Sequence, residues 1–323
     1  MRDDVGLVSK VLVLDSDPAC HERIKAFCDA NNLVGLKVQP DNVMSVLRSN
    51  VDLGGILLSE AYDGKSQGGI QMAQRIHSVR PELPIFLRRE SAVGVDDLAD
   101  GARKAISADF TIETIDNLHR VIDEFIFSLS YPNVLVRGIT EITQAALESQ
   151  FKRLRVDVAA PYIVRDRLIY GEIFTLIPLE SNWCRGYMML QTEEIALLDL
   201  VKSGHTHINP AEGLDFRNLN GLLGEITNLV WGAFKNRYIS DSAPEAHLSQ
   251  VPIIINHLHR YISFGSDNPQ LCFKYTLNES ADAGHRLEIY QKFVFNLNWS
   301  PEDFAENLTS VDELVESGEL DLF

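Results

Sequence analysis

The chain has 323 residues, enough for two domains of ordinary size, and its 45% hydrophobic and 23% charged residues describe a globular protein. Its net charge of −17, with a pI near 4.9, argues against nucleic acid and against an anionic membrane surface, both of which call for basic patches. No apolar run approaches the ~20 residues of a membrane span, and Met1-Arg2-Asp3-Asp4 does not open a signal peptide, so a cytoplasmic protein is expected. Cys20, Cys28, Cys184 and Cys272 lack metal-ligand spacing and are expected to be reduced, buried thiols.

Residues 8–128 alternate strand and helix. Lys10-Val11-Leu12-Val13-Leu14 is a continuous apolar run ending in Asp15-Ser16-Asp17-Pro18, the pattern of a buried parallel strand. Helical spacing follows from Glu22 to Asn31, then a strand at Gly35–Val38 and a helix at Asn42–Arg48. Gly55-Ile56-Leu57-Leu58-Ser59 is another buried strand. A helix at Ile70–Val79, a strand at Leu83–Leu87, a weaker strand at Ala105–Phe110 and a closing helix at Glu113–Leu129 complete the segment. Units of this size in this order predict an α/β doubly wound, flavodoxin-like sheet.

This order and spacing resemble a response-regulator receiver domain. Asp15 and Asp17 match that family's magnesium-binding acids, although a simple acidic turn has the same pattern. The rest of the receiver site does not carry over. Ser59 stands where the phosphoacceptor Asp is expected, Arg88 or Arg89 where a hydroxyl residue follows the fourth strand, and Ala108-Asp109 where the fifth strand carries Lys-Pro. A receiver needs a carboxylate nucleophile, a metal and a second cation. The resemblance therefore implies a degenerate receiver used for docking or dimerisation, with Glu60 and Asp63 as the nearby carboxylates. The same degenerate fold also resembles the N-terminal wing domains of bacterial amino-acid decarboxylases, which serve in assembly.

Ser128 to Asn133 is a short break with a Pro and no long Gly/Ser linker, so the two domains are expected to sit close. Residues 133–299 then show helices and strand runs without βαβ alternation, which predicts an α+β domain. A long amphipathic helix spans Val134–Leu154. Strands follow within 156–159, 168–178 and 184–191, then a short helix at Thr192–Val201 and the loop Gly204–Gly213. Three more strands lie at Pro252–Ile255, Leu271–Tyr275 and Arg286–Tyr290. Between loop and strands runs a helix with two faces. Leu219, Leu222, Ile226, Leu229 and Ala233 fall on one stripe at about 100° per residue, the expected core face. Glu225 and Asn228 are i and i+3 and project side by side, well round from that stripe. Gly221 and Gly232 bracket them one turn to either side. Gly inside a helix costs roughly 1 kcal/mol against Ala, so two beside a Glu/Asn pair suggest a surface kept low for another backbone. A solvated face with incidental glycines has the same pattern.

This layout resembles the CheC/CheX/FliY family of chemotaxis phosphatases, and the CheX branch most closely. Glu225-Ile226-Thr227-Asn228 matches the family's Glu-x-x-Asn motif. Gly232 and Lys235 continue its helix, Pro252 lies at its distance, and there is one active helix, as in CheX. One departure is Gly221, where the family often has Asp or Ser. The resemblance implies hydrolysis of the aspartyl phosphate of a separate phosphorylated, CheY-like receiver. It implies no cofactor of this chain's own, Mg²⁺ in the partner receiver's site, and a homodimer. A neutral amide at Asn228 would hold a water in line with the phosphorus without a carboxylate's repulsion. Glu225 would pair with the partner's active-site Lys.

The alternative is a non-enzymatic receiver-binding or scaffold module of a two-component or motility complex, which Gly221 favours. His205-x-His207 and His257-x-His259 would each share a face if they lay on strands, but nothing else supports a metal site there. Residues 300–323 form an acidic tail without Lys or Arg. In it Phe304, Leu308, Val311, Leu314 and Val315 have helical spacing, fitting a solvated end or a docking helix.

Overall fold

The computed structural model describes the chain except residues 1–6, 49–52, 66, 91–93, 96, 130, 166–167, 170–171, 209–215, 240–251, 257–261, 264–267, 280–285, 301–303 and 305–323. The acidic tail beyond Phe304, for which a solvated end and a docking helix are the two expectations, therefore lies outside the described residues, as does the pair His257 and His259.

The first segment runs β1 (Val8–Leu14), α1 (Pro18–Ala30), β2 (Leu33–Lys37), α2 (Val43–Arg48), β3 (Gly55–Ser59), α3 (Gly68–Val79), β4 (Ile85–Arg88), α4 (Asp100–Arg103), β5 (Ala108–Phe110) and α5 (Leu118–Phe125). Its strands pair in parallel in the order β2–β1–β3–β4–β5, the doubly wound order expected. The continuous apolar runs follow from burial on both faces. Val11 and Val13 face the core with Ile24 and Phe27 of α1, while Leu12 and Leu14 face Val43 and Ala73 on the other side. Asp17 starts α1 as its N-cap, accepting from the Ala19 amide at 3.0 Å, with Pro18 in the first turn. The closing helix is shorter than expected: a 3₁₀ turn at Ile112–Asn117 precedes α5.

The second segment runs α6 (Asn133–Gln150), β6 (Leu154–Val158), β7 (Tyr162–Val164), β8 (Leu168–Ile169), β9 (Ile173–Glu180), β10 (Cys184–Thr192), α7 (Glu194–Lys202), α8 (Phe216–Tyr238), β11 (Ile253–Asn256), β12 (Ile262–Ser263), β13 (Gln270–Glu279) and β14 (Arg286–Trp299). Antiparallel pairing gives β11–β9–β10–β14–β13, with β6 and β7 sharing the far side of β13. Strands β8 and β12 form a separate pair. The helices pack on one face over Ile177, Met188, Leu190, Phe273 and Phe293. Among the described residues no helix is long and apolar enough to cross a membrane. All four cysteines are free and buried. Burial pushes the Cys28 thiol up to about 11 and the Cys184 thiol up to about 12, so both stay protonated near neutral pH.

The two segments share one sheet, which corrects the expectation of two separate ones. Strand β7, which the sequence patterns do not announce, pairs β13 on one side and β1 in parallel on the other, through Val8 with Tyr162 and Ser9 with Ile163. Twelve strands thereby join into a single sheet. The fully buried Ser9 hydroxyl donates to the Ile163 carbonyl at 2.7 Å. The Arg165 amide donates to the Leu53 carbonyl at 3.0 Å, and the Tyr131 hydroxyl to the Pro269 carbonyl at 3.2 Å. Gly54 allows this closeness, because a Cβ there would stand 2.0 Å from Ser9 Oγ. Gly54→Ala is therefore expected to destabilise the protein by about 1–3 kcal/mol through overpacking. In a Ser9→Ala background the same change should cost less, and a double-mutant cycle in urea unfolding measures that coupling.

Candidate functional site

Helix α8 is held from three sides. Its apolar stripe, Leu219, Leu222, Leu223, Ile226, Val230, Phe234 and Tyr238, is buried. That corrects the expected stripe at two positions, for Leu229 is 38% exposed and Ala233 is exposed. The helix is rotated so that Val230 and Phe234 face the sheet in their place. Thr227 explains the rotation. It is fully buried between Ile226 and Asn228, its hydroxyl donates to the Leu223 carbonyl at 2.7 Å, and it stands 2.7 Å from the Thr175 hydroxyl of β9. With the Thr227 proton used on Leu223, Thr175 is the donor to Thr227. This is a polar peg under an otherwise apolar face. At the C-terminal end the Trp183 indole N–H donates to the Tyr238 carbonyl at 2.9 Å. The Tyr238 hydroxyl reaches the Val134 carbonyl at 3.2 Å over Gly138, where a Cβ would lie 1.6 Å from that hydroxyl.

This rotation turns the predicted residues outward. Gly221, Glu225, Asn228 and Gly232 follow one another by four, three and four residues, so they form one line along the helix. Gly221, Glu225 and Asn228 are exposed and Gly232 is half-buried. Among the described residues, a Cβ added at Gly221 or Gly232 would meet nothing within 4 Å, so none of them requires either glycine by packing. The surface at both ends of the Glu/Asn pair is low and open. Gly224 differs, since its Cβ position lies 3.5 Å from Ile254 Cδ1 of β11. Pro252 enters β11 at the outer edge of the sheet, where a missing N–H is tolerated, and Ile253 beside it is 55% exposed.

The receiver-like site is filled from within. Arg88, at the end of β4, donates from Nε to Asp15 Oδ2 at 2.6 Å, and from Nη2 to Asp15 Oδ1 at 3.2 Å and Ser59 Oγ at 2.9 Å. Asp15, Ser59 and Arg88 are all under 10% exposed. Burial works against the Arg88 charge, but the bonds to Asp15 and its carboxylate charge outweigh it and raise the Arg88 pKa. The guanidinium thus takes the carboxylate that the resemblance assigned to magnesium. Asp17 does not join the cluster. It caps α1, and the Ala19 amide bond, followed by the Cys20 thiol, lowers its pKa. Glu60 accepts from Arg89 Nε at 2.9 Å, and Arg89 also grips Asp97 and the Gly94 carbonyl. Asp63 is an exposed residue with φ 62°. Ala108 sits in β5 opposite Phe86, outside the cluster, while Asp109 accepts from the Gly94 amide at 2.6 Å.

His205 lies in the turn after α7, 7% exposed, with Nδ1 3.2 Å from the Lys152 carbonyl and Nε2 3.6 Å from Glu279. It is not on a strand, so it does not share a strand face with His207. Among the described residues no cluster of three His, Cys, Asp or Glu side chains could hold a metal. Sequence patterns missed Thr175, Thr227 and the pairing role of Arg88. The one available signal was a Thr inside the Glu-x-x-Asn helix on its apolar side.

The buried pair sets an expected outcome. Arg88→Met leaves the Asp15 charge buried without its partner and should cost roughly 3–5 kcal/mol. Adding Asp15→Leu should recover most of that loss, as read by urea unfolding followed by circular dichroism.

No family model matches the chain, and no curated protein matches it. Solved structures do. A candidate chemotaxis protein from Desulfovibrio vulgaris Hildenborough is similar at 16% identity and TM-score 0.37, over 52% of this chain and 100% of that one. The CheX–CheY–BeF₃–Mg²⁺ complex from Borrelia burgdorferi is similar at 12% identity and TM-score 0.29, over 49% of this chain and 97% of the other. The receiver domain of a sensor histidine kinase from Pseudomonas aeruginosa PAO1 is similar at 15% identity and TM-score 0.31, over 36% of this chain and 97% of that one.

Proposed function

We propose that this protein accelerates hydrolysis of the aspartyl phosphate on a separate, CheY-like receiver, with Asn228 and Glu225 as the acting residues. One observation carries the proposal: the Glu225/Asn228 pair stands exposed on a pegged helix between two glycines whose Cβ positions are open. Phosphoryl transfer asks little covalent chemistry of a protein and much positioning. The Asn228 amide offers one acceptor and two donors, enough to orient a water in line with the phosphorus. Glu225, one turn away, pairs with the partner's active-site Lys and sets the register of the two proteins. Mg²⁺ belongs to the partner's site, and this chain brings no cofactor. The phosphate is on another protein because Ser59 replaces the acceptor here and is bonded by Arg88. A cytoplasmic homodimer belongs to the same proposal.

A second reading rests on Gly221. Among the described residues nothing lies within 4 Å of its Cβ position and none supplies the polar group missing there, which favours a module that binds a receiver without turnover. Single-turnover phosphate release from a panel of phosphorylated receivers of the same cell separates the two. Asn228→Ala should lower the acceleration by roughly 100-fold with the fold intact, and Glu225→Ala should raise the half-saturating receiver concentration by about tenfold. Binding without faster phosphate loss would favour the module. Gly232→Leu should not destabilise the protein and should raise its stability by up to about 1 kcal/mol, because Leu is the better helix former, yet it should raise the half-saturating concentration by about tenfold or more by holding the partner's backbone away. Equal receiver affinity in that variant would remove the glycines from the interface.

A further inference from the structure

The sealed receiver-like site has an open neighbour. Between α1 and β2 lies a cleft of about 530 Å³, and a second cavity of about 300 Å³ continues from it past the ends of β1 and β2. The two share Val13, His21 and Lys37 as lining residues. Ligand pockets span roughly 300–1,000 Å³, so the pair has the volume for a small molecule. The smaller cavity lies beyond the C-terminal ends of β1 and β2, the side of a doubly wound sheet on which ligands bind, while the switch point of this sheet falls between β1 and β3.

The two ends of this space differ in chemistry. The α1/β2 end has an apolar floor of Val13, Ile24 and Leu33, each under 10% exposed, with Glu22, Lys25 and Asp29 of α1 also in its lining. Room exists there because residue 35 is Gly: its Cβ position points over the floor, 3.3 Å from Val13 Cγ2 and 3.8 Å from Cys28 Sγ. The other end is polar. Lys37 is exposed and, among the described residues, has no ion-pair partner, a bare cation in a chain of net charge −17. His21 stands beside it, held with Nε2 3.1 Å from the Asp15 carbonyl. The one acid of that cavity, Asp15, is already neutralised by Arg88. Tyr62 completes the lining at 3% exposure, and among the described residues its buried hydroxyl has no hydrogen-bond partner.

We propose that this cleft binds a small amphipathic carboxylate, with its apolar body on the Gly35 side and its carboxylate at Lys37. A carboxylate gains the donors of Lys37 there, whereas an ammonium of the same shape would meet them as a like charge. The site owes nothing to the α8 pair, so it stands or falls independently of the proposed phosphatase activity.

The test uses the full chain with 4-phenylbutyrate and its charge-reversed match 4-phenylbutylamine, by isothermal titration and saturation-transfer NMR. Phenylbutyrate is expected to bind saturably and about tenfold or more tighter than the amine. Gly35→Val should abolish binding by filling the cleft. Lys37→Met, a surface change that leaves the packing alone, should weaken it about tenfold; it decides the matter if Gly35→Val fails to fold. Asn228→Ala should bind as the unaltered chain does. No saturable binding at millimolar concentration, equal binding of acid and amine, or acid binding that survives Lys37→Met would each overturn the proposal.

Discussion

The structure depends on the pairing of β1 with β7. A strand of three residues would be marginal on its own, since isolated short pairings lack the burial to offset chain entropy. Here it is held on both edges, by β13 and by β1, and its Ile163 carbonyl takes the buried Ser9 hydroxyl. Two consequences follow. The β7 edge of the antiparallel half is covered, which removes an exposed strand edge. The two segments also cannot rotate against each other without breaking ladder bonds and buried side-chain bonds together. The receiver-like segment is thus a fixed part of the body that carries α8.

That fixed body makes the state of the receiver-like site a structural matter. A phosphorylatable receiver needs its acids free for a metal, a condition in which buried carboxylates repel one another until the ion arrives. Arg88 supplies a permanent counter-charge instead. It bonds both Asp15 oxygens and the Ser59 hydroxyl at once. Arg89 ties the next turn to Glu60 and to Asp97.

The doubly wound order was legible because continuous apolar runs separated by helical periods have few other solutions. The Glu225/Asn228 line was legible too, since a 3.6-residue period fixes which residues share a face. The depth of each face was not. Leu229 and Val230 are equally apolar, and either could anchor the core stripe by spacing alone. Burial of Thr227 against Thr175 chooses Val230 and leaves Leu229 at the surface. A hydroxyl on an apolar face reads as noise until its partner on another element is known. Strand β7 failed for a different reason: three residues are too few for any period, and its partner β1 lies about 150 residues away. Arg88 shows the same limit. The sequence showed that the acceptor was gone but not that its neighbours had acquired an internal cation.

Asn228 and Glu225 sit on a rigid helix rather than on a loop, and this matters for what they can do. Positioning catalysis loses its advantage when the positioned group wanders by about 1 Å. Thr227 lies directly between Glu225 and Asn228 in sequence and is bonded both to its own helix and to β9, so the outward pair inherits the precision of a buried contact. The open glycines at either end cost the helix stability without gaining packing against the described residues. Exposed Leu229 and Ile253 then add apolar area around the polar centre, the arrangement in which a desolvated rim raises the worth of the charges it surrounds.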